Sequence, residues 1–184
     1  MARESQLRTA KGRSAEEDFR AFAVARTPHL YRTACLLTGG DTHLAEDLVQ
    51  EALGRIYAQW HRTSWFAPRA RIENPAAYAH TVLVRAFLSH RNRRSSGEQP
   101  VDAVPDGADR EGDPALRLTL VDALARLSPG DRAVLVLRYW EDRSVEETAE
   151  VLHRSSGAVR TRTVRALGRI RAVLGDSIGE LADR

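Results

Sequence analysis

Arginine, serine and threonine side chains in the C-terminal third have the chemistry of a polyanion-binding surface. From His153 to Arg171 the sequence contains six arginines and no acidic residue. A guanidinium can donate a forked pair of hydrogen bonds to guanine in the major groove, and hydroxyls at a helix N-terminus can reach phosphate. The candidate DNA-binding residues of this region are Ser155, Ser156, Arg160, Thr161, Arg162 and Arg165. The competing interpretation is a solvated helix face in an arginine-rich protein.

A second charged pattern, between Asp41 and Trp60, suits a basic partner. Apolar residues recur there at three- and four-residue spacing, so they share one face of a helix. The opposite face carries Asp47, Gln50 and Glu51, which we call the acidic stripe. A helix that buries one side and offers carboxylates on the other is suited to docking on a basic surface.

Neither pattern indicates catalysis or metal binding. His43, Glu46, Asp47 and Glu51 lie close on one helix, but no HExxH sequence or cysteine pair completes a coordination set. The chain also lacks a glycine-rich phosphate loop and a serine in a nucleophile elbow. We therefore expect no catalytic residue, no metal, no cofactor and no small-molecule substrate.

Composition argues against a membrane or secreted protein. The sequence has no apolar run long enough to span a bilayer, and its N-terminus lacks the apolar core of a secretory signal. Its single cysteine, Cys35, excludes an intrachain disulfide framework and fits a buried small hydrophobe. These features predict a cytoplasmic protein with no membrane partner.

Charge divides the chain into three blocks. Lys and Arg outnumber Asp and Glu by 15 to 9 in residues 1–94 and by 12 to 10 in residues 115–184, whereas residues 95–114 hold 1 base and 6 acids. That middle block is rich in Ser, Gly and Pro and lacks aromatics, which predicts a flexible acidic linker. Two basic blocks on either side indicate a polyanion that is contacted at two places.

Helix-start and helix-stop signals outside the linker predict an all-α protein of two small helical domains. Gly39-Gly40 predicts a helix end, and residues 61–73 are expected to form a loop. A turn at His153–Ser155 separates a short helix from a basic one, which is typical of a helix-turn-helix. Capping residues or first-turn prolines predict helix starts at Ser14, Asp41 or Thr42, Asn74-Pro75, Pro114, Ser128-Pro129, Ser144 and Ser156-Gly157.

The order of four motifs resembles an RNA polymerase sigma factor of the sigma-70 family, group 4, also called extracytoplasmic-function (ECF). The motifs are HLAEDLVQEALGRIY, NPAAYAHTVLVRAFLSHRNRR, LSPGDRAVLVLRYWEDRSVEETAEVL and SSGAVRTRTVRAL. LLTGG, before the first motif, is similar to a subgroup frequent in actinobacteria. The resemblance covers residues 16–94 as a σ2-like domain and 115–174 as a σ4-like domain. Residues 1–15 are then a basic N-terminal extension and 175–184 a tail.

The resemblance implies a function in transcription initiation. It assigns Asp47, Leu48, Gln50 and Glu51 to binding the clamp helices of the largest subunit of core RNA polymerase, and it implies a second contact at the flap region. The σ4-like helix-turn-helix would read the −35 promoter element. Membership of the group also implies regulation by an anti-sigma factor that masks both domains, although some relatives use none.

The σ2-like domain of the family opens the −10 element and holds a flipped base, which requires aromatics and arginines near a pocket. The resemblance and these residue types together give the −10 candidates Trp65, Arg69, Arg71, Tyr78, His80, Arg85, Arg91, Arg93 and Arg94. Arg85 departs from the family, which commonly has asparagine there, so the −10 preference is expected to differ. A DNA-binding helix-turn-helix regulator that never engages polymerase is the alternative function.

Overall fold

The computed structural model describes the backbone of residues 2–66, 74–95 and 114–182, and the side chains of residues 15–61, 74–93 and 120–175. Within these ranges the chain is all-α, as predicted, with no strand. The helices are α1 (Ala2–Thr38), α2 (Thr42–Phe66), α3 (Pro75–Ser95), α4 (Pro114–Ala125), α5 (Pro129–Leu135), α6 (Val145–Leu152) and α7 (Ser156–Ala182). A single π-helical turn, Val136–Trp140, extends α5. We call α1–α3 the N-terminal half and α4–α7 the C-terminal half.

The predicted apolar face of α2 forms the centre of the N-terminal half. Leu48, Ala52 and Ile56 are at most 1% exposed and pack against Leu30 of α1 and Phe87 of α3. Burial of one face of α2 leaves the opposite face to solvent. This arrangement is the amphipathic helix that the spacing predicts.

Local capping signals correctly predicted most helix starts. The Asp41 carboxylate accepts a hydrogen bond from the amide of Leu44 at 2.9 Å, so Asp41 and not Thr42 caps α2. Asn74 accepts one from Ala77 at 3.0 Å before Pro75 begins α3. Ser128 accepts one from Asp131 at 3.2 Å before Pro129 begins α5.

Three helices are longer than predicted. α1 begins at Ala2 and not at Ser14, and it accommodates Pro28 within its length. α2 continues to Phe66, so Trp65 lies on a helix and not in a loop. α7 continues to Ala182 through the segment expected to be a tail.

The two halves pack against each other. Ala133, Val136, Leu137 and Val151 of the C-terminal half belong to the same core cluster as the buried residues of α1–α3. A second cluster lies within the C-terminal half and includes Leu124, Leu127, Leu135, Ala166 and Ile170. The sequence predicted two domains but not this shared core. Of the predicted linker of residues 95–114, Ser95 ends α3 and Pro114 begins α4, and residues 96–113 lie outside the described residues.

Arg132 is the central polar residue between the halves. Its guanidinium donates hydrogen bonds to the carbonyls of Leu37 at 2.7 Å, Ala125 at 2.7 Å and Leu127 at 3.2 Å. Burial, with a smaller contribution from the Arg91 charge, lowers its pKa to about 10. The group therefore stays charged at neutral pH and ties α1 to the α4–α5 turn.

None of the helices in the described part of the chain combines the length and apolar character that a bilayer-spanning segment requires.

Candidate functional site

The acidic stripe lies on the solvent side of α2. Asp47 and Gln50 are exposed and Glu51 is half-buried. Glu51 accepts a hydrogen bond from Arg55, one turn further along the helix, at 2.5 Å. Leu48 is 1% exposed, so its side chain belongs to the core and does not share the surface of the stripe. The surface available to a partner is thus the polar part of the predicted set.

The helix-turn-helix is formed by α6, the turn and α7. A capping box begins α6, because Ser144 and Glu147 each accept the other's backbone N–H, at 3.0 and 2.8 Å. His153 ends α6 in the left-handed region at φ 51°. Ser155 then caps α7 by accepting a hydrogen bond from Ala158 at 3.2 Å. The Ser155 hydroxyl proton remains available as a donor.

The face of α7 opposite its core is exposed and carries the predicted base-reading residues. Val159, Thr163 and Ala166 are buried, while Arg160, Thr161, Arg162 and Arg165 are exposed and Ser156 is half-buried. The Thr161 hydroxyl donates to the carbonyl of Gly157 at 3.0 Å, which directs it along the helix.

Ion pairs distinguish the three exposed arginines of this face. Arg160 lies 3.2 Å from Glu146, but both side chains are more than 60% exposed, so the pair contributes little. Arg162 lies 3.2 Å from Asp131, whose side chain is only 5% exposed, and Asp131 also pairs with Arg169. Arg165 has no hydrogen bond or ion pair with any described residue. Among these three predicted −35 residues, Arg165 is accordingly the most available to a partner.

The −10 candidates do not form one exposed group. Tyr78 is half-buried against the core, and His80 is buried at 5% exposure, so His80 is not accessible to DNA in this arrangement. The Arg85 guanidinium donates to the carbonyls of Val151 and Glu150, both at 3.1 Å, and so binds the C-terminal half.

The remaining −10 candidates lie at the end of α3 or beyond the described side chains. Arg91 is half-buried, and Arg93 is exposed and donates to Ser89 at 3.1 Å. Arg69, Arg71 and the side chains of Trp65 and Arg94 lie outside the described residues.

A basic groove runs between the halves. Its volume is about 930 Å³. No carboxylate is found among the described residues that line the groove, so these residues concentrate positive charge from both halves. The charged residues that line it are Arg85, Arg91, Arg93, Arg154 and Arg162.

A partly buried cluster of two histidines and a carboxylate was missed by sequence reasoning. Glu141 Oε1 lies 3.2 Å from His29 Nε2 and 3.0 Å from His80 Nδ1, and it accepts a hydrogen bond from Thr33 at 2.5 Å. Burial raises the pKa of Glu141, but the His80 ring, the Thr33 hydroxyl and the His29 ring together lower it by more, so its net pKa is below the usual value. Long separations along the chain left no local signal for this cluster.

The comparisons with known proteins match both halves. Residues 22–97 match the family described as "Sigma-70 region 2" and residues 117–170 the family "Sigma-70, region 4". The chain is 35% identical to the RNA polymerase sigma-E factor of Streptomyces avermitilis over 159 residues. This aligned region covers 85% of each chain. It is 34% identical to the ECF RNA polymerase sigma factor SigL of Mycobacterium tuberculosis, covering 79% of this chain and 82% of that one.

The chain belongs to the ECF sigma factors of the sigma-70 family. As such it binds core RNA polymerase and directs promoter recognition in transcription initiation, and it is not an enzyme. The alternative of a regulator that never engages polymerase is therefore discarded.

Solved structures share the fold of this sigma factor. The sigma factor RpoE of Bartonella quintana, in complex with the anti-sigma factor NepR, matches with a TM-score of 0.70 at 24% identity, over 86% of this chain and 98% of that chain. CnrH, in complex with the cytosolic domain of CnrY, matches with a TM-score of 0.57 at 24% identity, over 92% and 97%.

Proposed function

We propose that the acidic stripe binds the polymerase clamp and that the exposed face of α7 reads the −35 element. The observation that carries this division is the charge of the two surfaces. Asp47 and Glu51 lie on an exposed helix face, whereas the exposed arginines of α7 lie on the other half of the molecule. Carboxylates repel phosphate, so the stripe suits a basic protein surface and α7 suits DNA.

Charge reversal separates the two roles. Asp47→Arg with Glu51→Arg should abolish co-elution with core polymerase. The control is the reversal of two exposed acids on α1, Glu16→Arg with Glu17→Arg, which changes the net charge equally. Retention of core binding by the Asp47 and Glu51 variant would refute the assignment of the stripe.

We further propose that the halves separate when the sigma factor acts. The −35 and −10 elements are about 25 base pairs apart, or roughly 85 Å at 3.4 Å per step. A compact chain of this size has a radius of gyration of about 16 Å, so it cannot reach both elements while its halves are packed together. Separation would also release Arg85 and expose His80 for the −10 strand.

The packed arrangement offers one surface that includes both halves. The similar structure of RpoE was solved with an anti-sigma factor, and we propose a partner of that class for this chain. Co-expression with a candidate anti-sigma factor should yield a complex unable to bind core polymerase. Polymerase-bound sigma factor is expected to associate with the nucleoid, which fluorescence microscopy of a tagged chain would test.

A further inference from the structure

The cluster of His29, His80 and Glu141 has the composition of a metal site. One ligand atom from each residue lies within 4.8 Å of the other two. The contacts from Glu141 Oε1 to the two rings, at 3.2 and 3.0 Å, are close to the roughly 3.3 Å that separates neighbouring ligands of a tetrahedral Zn²⁺ with bonds near 2.0 Å. Rotation of His29, whose side chain is 36% exposed, would bring its ring nearer to His80.

The surroundings of His80 fit a metal ligand better than a member of a simple ion pair. Its side chain is 6% exposed and its Nδ1 lies 3.0 Å from Glu141 Oε1. However, Nδ1 makes no hydrogen bond within the described part of the chain. A buried nitrogen without a hydrogen bond costs free energy, and a cation between the ring and the carboxylate would satisfy both.

Neighbouring residues orient the cluster as the outer shell of a metal site does. Thr33 donates to the Glu141 carboxylate at 2.5 Å, and the Trp140 indole donates to the Thr33 hydroxyl at 3.1 Å. The Trp140 ring stacks on His29 with an interplanar angle of 8°. Such outer contacts fix ligand orientation in metalloproteins.

We propose that His29, His80 and Glu141 bind a divalent transition-metal ion, with Zn²⁺ as the best fit. Two imidazoles and one carboxylate form a ligand set that Zn²⁺ accepts, and water would fill the fourth position on the exposed side of His29. His29 and His80 belong to the N-terminal half and Glu141 to the C-terminal half, so the ion would hold the two halves together. Three protein ligands and one water suit a site that exchanges its metal.

Zinc binding by the untagged, full-length chain tests the site directly. After removal of metals with a chelator, titration calorimetry with Zn²⁺ should show one equivalent bound. His29→Gln and Glu141→Gln should each weaken binding by at least about tenfold. His43→Gln, an exposed histidine on α2, is the matched control and should bind as the wild type does.

Either of two results would overturn the proposed metal site. Absence of saturable Zn²⁺ binding, or equal affinity in the wild type and both ligand variants, would exclude the site. Because Glu141 is buried, its variant is compared only if its circular dichroism is native. His29 is more exposed, so its variant provides the comparison if Glu141→Gln unfolds. Zn²⁺ should also raise the melting temperature of the wild type more than that of His29→Gln.

Regulation of transcription initiation by the bound metal rests on the proposed function and is tested by a separate measurement. Zn²⁺ should lower promoter-dependent initiation by the wild type several-fold more than by His29→Gln, because the metal opposes separation of the halves. An equal effect on both proteins would remove this regulatory role. The calorimetric result does not depend on transcription, so failure of the sigma assignment and failure of the metal site are distinguishable.

Discussion

The arginine side chains differ in how many hydrogen bonds and ion pairs they make within the protein. Arg165 has no described partner, whereas Arg162 is held by buried Asp131. If Arg165 contacts a base edge, Arg165→Ala should reduce discrimination at one −35 position by about 1–3 kcal/mol. Arg171→Ala, an exposed arginine further along α7, is the control. Binding measured on single-base promoter variants checks this, and an equal loss on every sequence would make Arg165 a phosphate contact.

Arg132 illustrates the opposite case, in which a buried guanidinium is held by backbone carbonyls inside the protein. At 2% exposure it donates to carbonyls of α1 and of the α4–α5 turn. Arg132→Met removes these charge-assisted bonds and leaves buried carbonyls unsatisfied. We expect a loss of roughly 3–5 kcal/mol in the free energy of unfolding, measured in urea. Exposed Arg126→Met is the control, and a loss below about 1 kcal/mol would contradict this role for Arg132.

At the scale of elements, α6 depends on its cap because it is only eight residues long. The Ser144 backbone N–H, burial and Arg143 act on Glu147 with the net effect of lowering its pKa. A carboxyl with a lowered folded-state pKa stabilises the fold above its unfolded pKa, and that contribution disappears as pH falls through the folded value. Glu147→Gln should therefore destabilise the protein at neutral pH but not in acid.

Unfolding of the wild type and Glu147→Gln at pH 7 and near pH 3 provides the measurement. Ser144→Ala, which removes the other half of the cap, should cost about 1 kcal/mol at neutral pH. A difference between wild type and Glu147→Gln that persists unchanged in acid would show that its charge is not responsible.

The elements that could be predicted from sequence are those fixed by neighbours along the chain. Asn74 with Pro75, and Ser144 with Glu147, are caps formed within three residues. The basic face of α7 followed from helical spacing in the same way. The continuation of α2 to Phe66 was not predicted, because the sequence has no local helix breaker that marks the end of this helix.

The contacts that sequence reasoning missed join residues that lie far apart along the chain. His29 and Glu141 are 112 residues apart along the chain, yet their side chains meet. Arg85 was assigned to DNA by its place in a motif, and its contact with α6 depends on how two halves pack. Periodicity reports which face of a helix is apolar, but not which distant helix covers it.

Arg85 should help to keep the halves together. Its guanidinium binds carbonyls at the C-terminal end of α6, where a cation is also favoured by the helix dipole. Because Arg85 is exposed, we expect Arg85→Ala to cost only about 1 kcal/mol, or roughly a fivefold increase in the separated population. Small-angle X-ray scattering would show a larger mean radius of gyration. Arg93→Ala, whose partner Ser89 lies on the same helix, should leave the radius unchanged, and equal radii for both variants would contradict the role of Arg85.

Gly39 lies where the chain after α1 approaches α4 closely, so a substitution of Gly39 tests the contact between the halves. Its φ of +71° disfavours any L side chain, and a Cβ at this position would lie 2.8 Å from the Ala125 Cβ of α4. Gly39→Ala should therefore lower the free energy of unfolding by about 1–3 kcal/mol and increase the radius of gyration. Gly54→Ala is the matched control, because nothing lies within 4 Å of its Cβ position.

Gly54 lies within α2, so its replacement by alanine should stabilise the protein by about 0.5–1 kcal/mol. Opposite signs for the two substitutions would locate the effect of Gly39 in its conformation and its contact with α4, since the added methyl group is the same. If Gly39→Ala lowered stability without changing the radius of gyration, only the turn after α1 would be strained. Closure of the halves would then depend on the contacts of Arg132 and Arg85 and not on the close approach of α1 to α4.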